Sequence, residues 1–359
     1  MPDRNDNVRI LTGDVGGTRA RFRMLEKIQA AWHIRHEVNW LSRDFDSLQR
    51  ALHAFLDELS LVERAGIREA WIAVAGPVSH GRVRFTNLAW ECEERSLESA
   101  LNLPSVHLVN DMEALAHAIP TTPAREWITL QTGQPDDGPR LLLAVGTGLG
   151  VVSWRASESG IQVQPSEGGH SDFASLTVEQ QALWQSMAER YGHVSYERLL
   201  SGPGLEDIYA FQCRQLQCLP FDGDPDTNEP APMICQRAES GEDEAAASTI
   251  RCFTEILGAF VGNAALYSLA TGGIFLAGSL LTRLHPYLGR NGFLQAFQNK
   301  GRLGAALETM PIIVVTSKEP GLEGISHLAA DNCSRQDGPS QQDASHNEGV
   351  HAGSFFHQP

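Results

Sequence analysis

A unit of strand, glycine-and-threonine turn and returning strand occurs twice in this chain, roughly one domain apart, and it limits the fold more than any other pattern. The first copy enters through Val8-Arg9-Ile10-Leu11, turns over Thr12-Gly13-Asp14-Val15-Gly16-Gly17-Thr18 and leaves through Arg19-Ala20-Arg21-Phe22-Arg23-Met24. That exit alternates polar and apolar residues with a period of two, as a strand does. The second copy runs Leu141-Leu142-Leu143-Ala144-Val145, turns over Gly146-Thr147-Gly148-Leu149-Gly150 and returns as Val151-Val152-Ser153-Trp154. We read the pair as an internal structural duplication. The dinucleotide fingerprint and the P-loop both need a helix directly after their glycines, and the P-loop also needs a Gly-Lys-Ser/Thr; these turns offer neither. They still suit a phosphate, because residues without Cβ let backbone N–H groups approach its oxygens, and Thr18 adds a hydroxyl. An ordinary glycine-rich β-turn is the other reading of the first motif on its own.

Residues 106–119 change from an apolar strand pattern to a helical one, which sets Asn110 and Asp111 at a strand-to-helix junction. Asn110 could be no more than an N-cap, with Glu113 closing a capping box, a contribution of about 1 kcal/mol. Glu167-Gly168-Gly169-His170 lies in a glycine-broken loop. Glu-x-x-His supplies metal ligands when it lies on a helix, but two adjacent glycines disfavour one and no second copy completes a di-metal set. The carboxylate and imidazole suit the hydroxyls of a polar ligand such as a sugar. Glu197, inside a short helix at 195–200, reads by itself as a surface carboxylate. Gly272-Gly273-Ile274-Phe275-Leu276-Ala277-Gly278 is a strand ending in glycine before a helix, a third candidate nucleotide-contact turn.

The remaining pattern is α/β. Helices are expected at 47–61, 97–101, 178–191, 205–216, 242–269, 280–288 and 321–329, and further strands at 70–75, 81–87 and 311–316. The chain of 359 residues suggests two domains of ordinary size, or one large domain with embellishment. Residues 219–232, rich in Pro and Asp, read as a mobile surface loop, and 331–359 as a disordered tail in which Phe355 and Phe356 are a pair of adjacent aromatics. A formal charge of -16 disfavours nucleic acid or anionic lipid as a main partner. No stretch is long and apolar enough for a membrane span or signal peptide, so a cytoplasmic location is expected. The six cysteines have no repeated spacing and read as reduced thiols.

In order along the chain, Gly13-Asp14-Val15-Gly16-Gly17-Thr18, Thr86-Asn87 with Trp90, Asn110-Asp111, the turn at 146–150, Glu167-Gly168-Gly169-His170 with Asp172-Phe173, Glu197-Arg198 leading to Ser201-Gly202-Pro203-Gly204, and the strand ending at Gly278 resemble the bacterial glucokinase family, within the hexokinase and actin-like ATPase superfamily. The resemblance covers about residues 8–330. It implies two ribonuclease-H-like domains with an interdomain cleft: residues 1–120 as a small domain completed by 311–330, and 121–310 as a large one. It implies transfer of a phosphoryl group from ATP, with Mg²⁺, to the 6-hydroxyl of glucose. The phosphates would lie between Gly13, Asp14, Gly16, Gly17 and Thr18 on one side and Gly146, Thr147 and Gly148 on the other, with adenosine near Gly278. Asp14 would hold Mg²⁺ directly or through water. Glucose would be held by Asn110, Asp111, Glu167, His170 and Glu197, with Asp111 as catalytic base. Homodimerisation rests on the resemblance alone.

Two positions depart from the family pattern: Arg19 stands where Asn is common, and Ser279 where a second glycine is usual. Three rival readings share parts of the motif set. A hexose kinase of the repressor, open-reading-frame and kinase group typically carries a Cys-x-Cys zinc motif, absent here. A sugar-sensing regulator would have no use for Asp111 and would need a basic helix-turn-helix. A chaperone or filament ATPase would leave the glutamate and histidine set without purpose.

Overall fold

The computed structural model describes residues 8–158, 160–221, 230–290 and 292–336. The first part of the chain forms β1 (Arg9–Val15), β2 (Arg19–Ile28), β3 (Ala31–Leu41), α1 (Leu48–Glu58), α2 (Leu61–Ala65), β4 (Ile67–Val74), a ribbon of β5 (Val78–Ser79), β6 (Arg82–Arg84) and β7 (Glu91–Glu93), α3 (Glu94–Leu101), β8 (Ser105–Asn110) and α4 (Asp111–Ala118). Its main sheet has the order β3-β2-β1-β4-β8. β1, β2 and β3 are antiparallel, while β1, β4 and β8 are parallel. Leu48, Ala51, Leu52, Phe55 and Leu56 share the buried face of α1, which starts where the Ser47 side chain accepts from the Arg50 N–H. They meet Phe22, Met24 and Ile72 of the sheet.

The second part forms β9 (Trp127–Gln131), β10 (Arg140–Val145), β11 (Leu149–Ser157), β12 (Gly160–Ser166), α5 (Val178–Tyr191), α6 (Tyr196–Leu199), α7 (Gly202–Gln215), α8 (Pro230–Ser240), α9 (Glu244–Ser268), β13 (Gly273–Ala277), α10 (Ser279–Leu288), α11 (Phe293–Gln298), α12 (Gly304–Glu308), β14 (Ile312–Val315) and α13 (Pro320–Gln336). Its sheet has the order β12-β11-β10-β13-β14-β9. Setting aside β9, an antiparallel edge, this repeats the first sheet: three antiparallel strands in sequence, then two parallel ones. The duplication read from the two glycine turns is therefore present in the topology.

The α4 helix lies between the two sheets. Met112, Leu115, Ala116 and Ile119 pack on Leu142, Val152, Trp154 and Phe275 of the second sheet. Ala114, on another side, packs with Ala73 and Val109 of the first sheet and Leu322 and Ile325 of α13. At the α13 crossing, Gly324 sits so close to the Ala114 carbonyl that a Cβ there would overlap it. On the far face of the second sheet, the α9 stripe of Ile250, Phe253, Leu257 and Val261 joins the largest core. Gly258 and Gly262, expected to admit another backbone, meet the Phe293 and Phe297 carbonyls of α11.

Several sequence expectations are corrected. Strand β3 was not foreseen, because as a mostly exposed edge it lacks a continuous apolar run; β9 and β12 are likewise half-exposed. Within the expected loop, Pro230 already begins α8, and residues 222–229 lie outside the described residues. The segment expected to complete the first domain from 311 divides instead. Hydrogen bonds from β14 to β13 and β9 place it in the second sheet, and only α13 returns to the first. The last helix also outruns the expected tail boundary at 331, because Cys333 is buried and holds another turn in place. The rest of the tail, 337–359 with Phe355 and Phe356, lies outside the described residues. Among the described residues no helix is long and apolar enough to cross a membrane.

The α4–α13 crossing gives a stability test. Gly324→Ala should cost about 1–3 kcal/mol by overpacking a backbone contact. Gly289→Ala, where a Cβ meets nothing within 4 Å, should change stability by less than about 0.5 kcal/mol. Urea unfolding midpoints of the two variants check the contrast.

Candidate active site

The first turn of α4 presents Asp111. Asn110 caps the helix: its Oδ1 accepts from the Met112 N–H at 3.0 Å, and its Nδ2 donates to the Gly76 carbonyl at 3.0 Å. The cap is thus as expected, but the bond is to the second helical residue and Glu113 closes no box. The Asp111 Oδ1 accepts from the Met112 N–H at 2.9 Å. Burial raises the Asp111 pKa from its ordinary 3.8 to about 7, helped by the negative charges of Asp14 and Glu167 and opposed by the Met112 N–H. A carboxyl in that range takes and returns a proton near neutrality.

The polar residues expected around a sugar come together. His170 lies with Nε2 3.8 Å from Glu167 and Nδ1 3.6 Å from Glu197. Glu197 is not the surface carboxylate that its helix position suggested. Its Oε2 accepts from the Leu149 N–H at 2.9 Å and lies so near Gly148 that a Cβ there would come within 2.7 Å. One step on, Gly150 lies against the Met112 side chain of α4. The second glycine hairpin is therefore wedged between Glu197 and the head of α4, which is why positions 148 and 150 carry no side chain.

That hairpin also meets the start of α7 and Gly278, the turn expected near adenosine. The Gly146 N–H donates to the Gly148 carbonyl at 3.0 Å, and the Gly146 carbonyl accepts from Gly202 N–H at the start of α7 at 2.8 Å. Gly278, with φ of 103°, lies against the Val145 backbone, so both the dihedral and the contact exclude a side chain. Ser279, one of the two departures, heads α10 with its hydroxyl oxygen 3.8 Å from where a Gly146 Cβ would stand. Thr147 stays exposed.

At the first hairpin, a Cβ on Gly13 would press on the Phe22 ring at 2.7 Å and one on Gly17 on Asn87 at 2.9 Å, whereas Gly16 has open space. Thr18 is exposed. Arg19, the other departure, reaches Asn39 of β3 at 3.4 Å. Asp14 faces Arg21, its cross-strand partner, at 3.1 Å. The Arg21 Nε lies 3.4 Å from Glu319 without the geometry of a hydrogen bond and is otherwise unsatisfied. Burial raises the Asp14 pKa; Arg21 opposes this and Glu319 adds to it. Arg21 and Glu319 were not singled out from the sequence, although hairpin symmetry about Gly17-Thr18 sets Arg21 opposite Asp14.

No group of three or more His, Cys, Asp or Glu side chains placed to hold a metal occurs among the described residues. A Mg²⁺ that arrives with phosphates needs only one or two carboxylates from the protein. Asp14, within electrostatic reach of the like-charged Asp111, fits that requirement, since a cation would relieve the repulsion that adds to burial in raising Asp111.

The glucokinase family profile matches residues 11–332. The glucokinase of Chromobacterium violaceum is 33% identical over 332 residues, which cover 92% of this chain and 92% of that one. Among solved structures, a glucokinase from an Antarctic psychrotroph aligns at a TM-score of 0.74 with 29% identity over 89% of this chain and 98% of its own. The fold is shared with Balamuthia mandrillaris glucokinase, solved in complex with glucose, at a TM-score of 0.73 and 22% identity over 92% of this chain and 95% of its own. A profile match over most of the length, joined by a relative one-third identical over 92% of the chain, establishes that this chain belongs to the glucokinase family.

Proposed function

We propose that the protein is an ATP-dependent glucokinase that transfers the γ-phosphoryl group of Mg-ATP to the 6-hydroxyl of glucose, with Asp111 as catalytic base. The observation that carries the assignment is a carboxyl tuned to about 7 at the head of α4, beside a cluster of Glu167, His170 and Glu197. Phosphoryl transfer has a loose transition state, so the protein contributes mainly position and charge. Asp111 accepts the hydroxyl proton as the new bond forms, a role typically contributing about 10²- to 10⁴-fold.

Glucose hydroxyls are held by His170, Glu167 and the Oε1 of Glu197, whose other oxygen is engaged by Leu149. Asn110, with its amide tied to Met112 and Gly76, contributes through its remaining donor and lone pair. The two hairpins, at Gly13, Gly16, Gly17 and Thr18 and at Gly146, Thr147 and Gly148, receive the phosphates, the Gly16 and Gly146 N–H groups being already engaged within their own turns, with adenosine beside Gly278. Asp14 holds Mg²⁺ directly or through water, and the ion offsets phosphate charge. We further propose that the two sheets belong to two domains, divided near residue 120 with α13 completing the first. Their closure over the sugar excludes water and spares ATP from hydrolysis.

The test is ADP release from Mg-ATP with glucose, mannose, fructose, N-acetylglucosamine or no sugar. Turnover with glucose is expected, and silence with glucose overturns the assignment. Asp111→Ala should lose about 10²-fold or more of kcat while calorimetry still detects ATP binding; a near-normal rate sinks the base assignment. Because the base must be deprotonated, kcat/KM should rise with pH through about 7 and then level.

Stability should move the opposite way. Between about pH 4 and 7 the folded protein keeps an Asp111 proton that the unfolded chain has released, so the contribution of this carboxyl declines as pH rises. Asp111→Asn, inactive but still able to accept from Met112, should therefore melt at a higher temperature than wild type at about pH 8 and lose that advantage near pH 4. Equal melting temperatures at both pH values would contradict the raised pKa.

A further inference from the structure

Helix α7 ends in a regular motif whose two contacting side chains are both cysteines. Its last residues close through three backbone bonds: Leu216 N–H to Gln212 at 3.0 Å, Gln217 N–H to Arg214 at 3.3 Å and Cys218 N–H to Cys213 at 2.9 Å. Gln217 takes the left-handed conformation at φ of 54°. The last two bonds, with a left-handed residue between helix and exit, define a Schellman cap. In such a cap the side chain just beyond the turn commonly rests on the one five positions earlier, usually as an apolar pair. Here those positions are Cys218 and Cys213, and their thiols are hydrogen-bond partners. Cys213 is fully buried, whereas Cys218 is exposed, and both are free thiols.

We propose that Cys213 and Cys218 form a site of reversible oxidation, closing a disulfide across the C-terminal cap of α7 by exchange with a low-molecular-weight disulfide such as oxidised glutathione. The exposed Cys218, as thiolate, attacks one sulfur of the external disulfide. That S–S bond breaks, and one glutathione thiolate leaves. Cys213, as thiolate, then attacks the Cys218 sulfur, displaces the second glutathione and closes the internal bond. The protein thiols give up two electrons and two protons; the external disulfide gains both as two thiols. The order of attack follows from the surroundings. Burial, the Cys218 thiol and Asp243 all hold the Cys213 thiol up, to about 11, even though the Tyr209 hydroxyl beside it works the other way. The second step therefore quickens with pH.

The segment beyond the cap is positioned to tolerate the bond. Phe221 packs on Tyr209 at 5.1 Å and under Arg237 at 4.5 Å, and Tyr209 donates to Asp243 at 2.8 Å. These contacts hold the exit of α7 beside the two thiols. The other end of α7 carries the Gly202 N–H that supports Gly146, so oxidation fixes the far end of a helix that begins at the second glycine hairpin.

The sequence supplies a clean readout, because Arg214 lies between the two cysteines. Native protein is treated with oxidised glutathione at mildly alkaline pH, alkylated and digested with trypsin without reduction. Cleavage at Arg214 leaves the peptides 199–214 and 215–237 joined only by the new bond. The linked pair is expected from wild type, with fragmentation mapping the bond to Cys218 rather than Cys235. It should be absent from Cys218→Ser, and Cys213→Ala should instead accumulate glutathione on Cys218. Wild type that accumulates glutathione on Cys218 without the linked peptides overturns the proposal, as do thiols that stay unmodified or a linkage that persists in Cys218→Ser.

Discussion

Burial of α4 on two sides is the constraint on which the rest of the structure depends. A helix with one apolar stripe can serve only one sheet; α4 gives Met112, Leu115, Ala116 and Ile119 to the second and Ala114 to the first with α13. Such a helix has no free face on which to shift. Its first turn is therefore held against the second glycine hairpin, and the glycines at 150 and 324 mark where neighbouring backbone or side chain has closed to contact distance. Precision at Asp111 is a result of core packing rather than of any bond Asp111 itself makes.

The same packing creates an electrostatic tension. Two carboxyls, Asp14 near the end of β1 and Asp111 just past the end of β8, lie at the same edge of the parallel part of one sheet, and burial raises both. Arg21 offsets one of them at 3.1 Å, while the chief opposition at Asp111 comes from a backbone N–H. A fold optimised only for stability would not keep Asp111 in this setting. Its retention is intelligible if the charge of Asp111 is used when a cation and a hydroxyl arrive.

Much of this was legible in the sequence where local pattern and function coincide. The doubled glycine turn forecast the doubled topology, and the strand-to-helix change at 106–119 located Asp111 to the residue. What escaped was of two kinds. Edge strands such as β3 escaped because an exposed edge has no need of a buried face and so carries no strong alternation. Pairings between distant segments escaped because nothing local records them. Glu319, just ahead of α13, approaches Arg21 only because the chain turns back there toward the first sheet, and the return begins after β14 because the apolar 312–315 segment completes the second sheet before the chain leaves it.

Glu197 shows most clearly how a residue can look ordinary in sequence and be constrained in space. On a helix of four residues its carboxylate has every local reason to face water. It turns inward because the second hairpin leaves the Leu149 N–H without a strand partner on that side, and a carboxylate satisfies that donor at 2.9 Å. The remaining oxygen then points to His170. One side chain thus touches the hairpin assigned to phosphate and the cluster assigned to sugar. In that reading, a sugar that draws on Glu197 also pulls on the hairpin, and the two halves of the site are coupled by a single carboxylate rather than by a long chain of contacts.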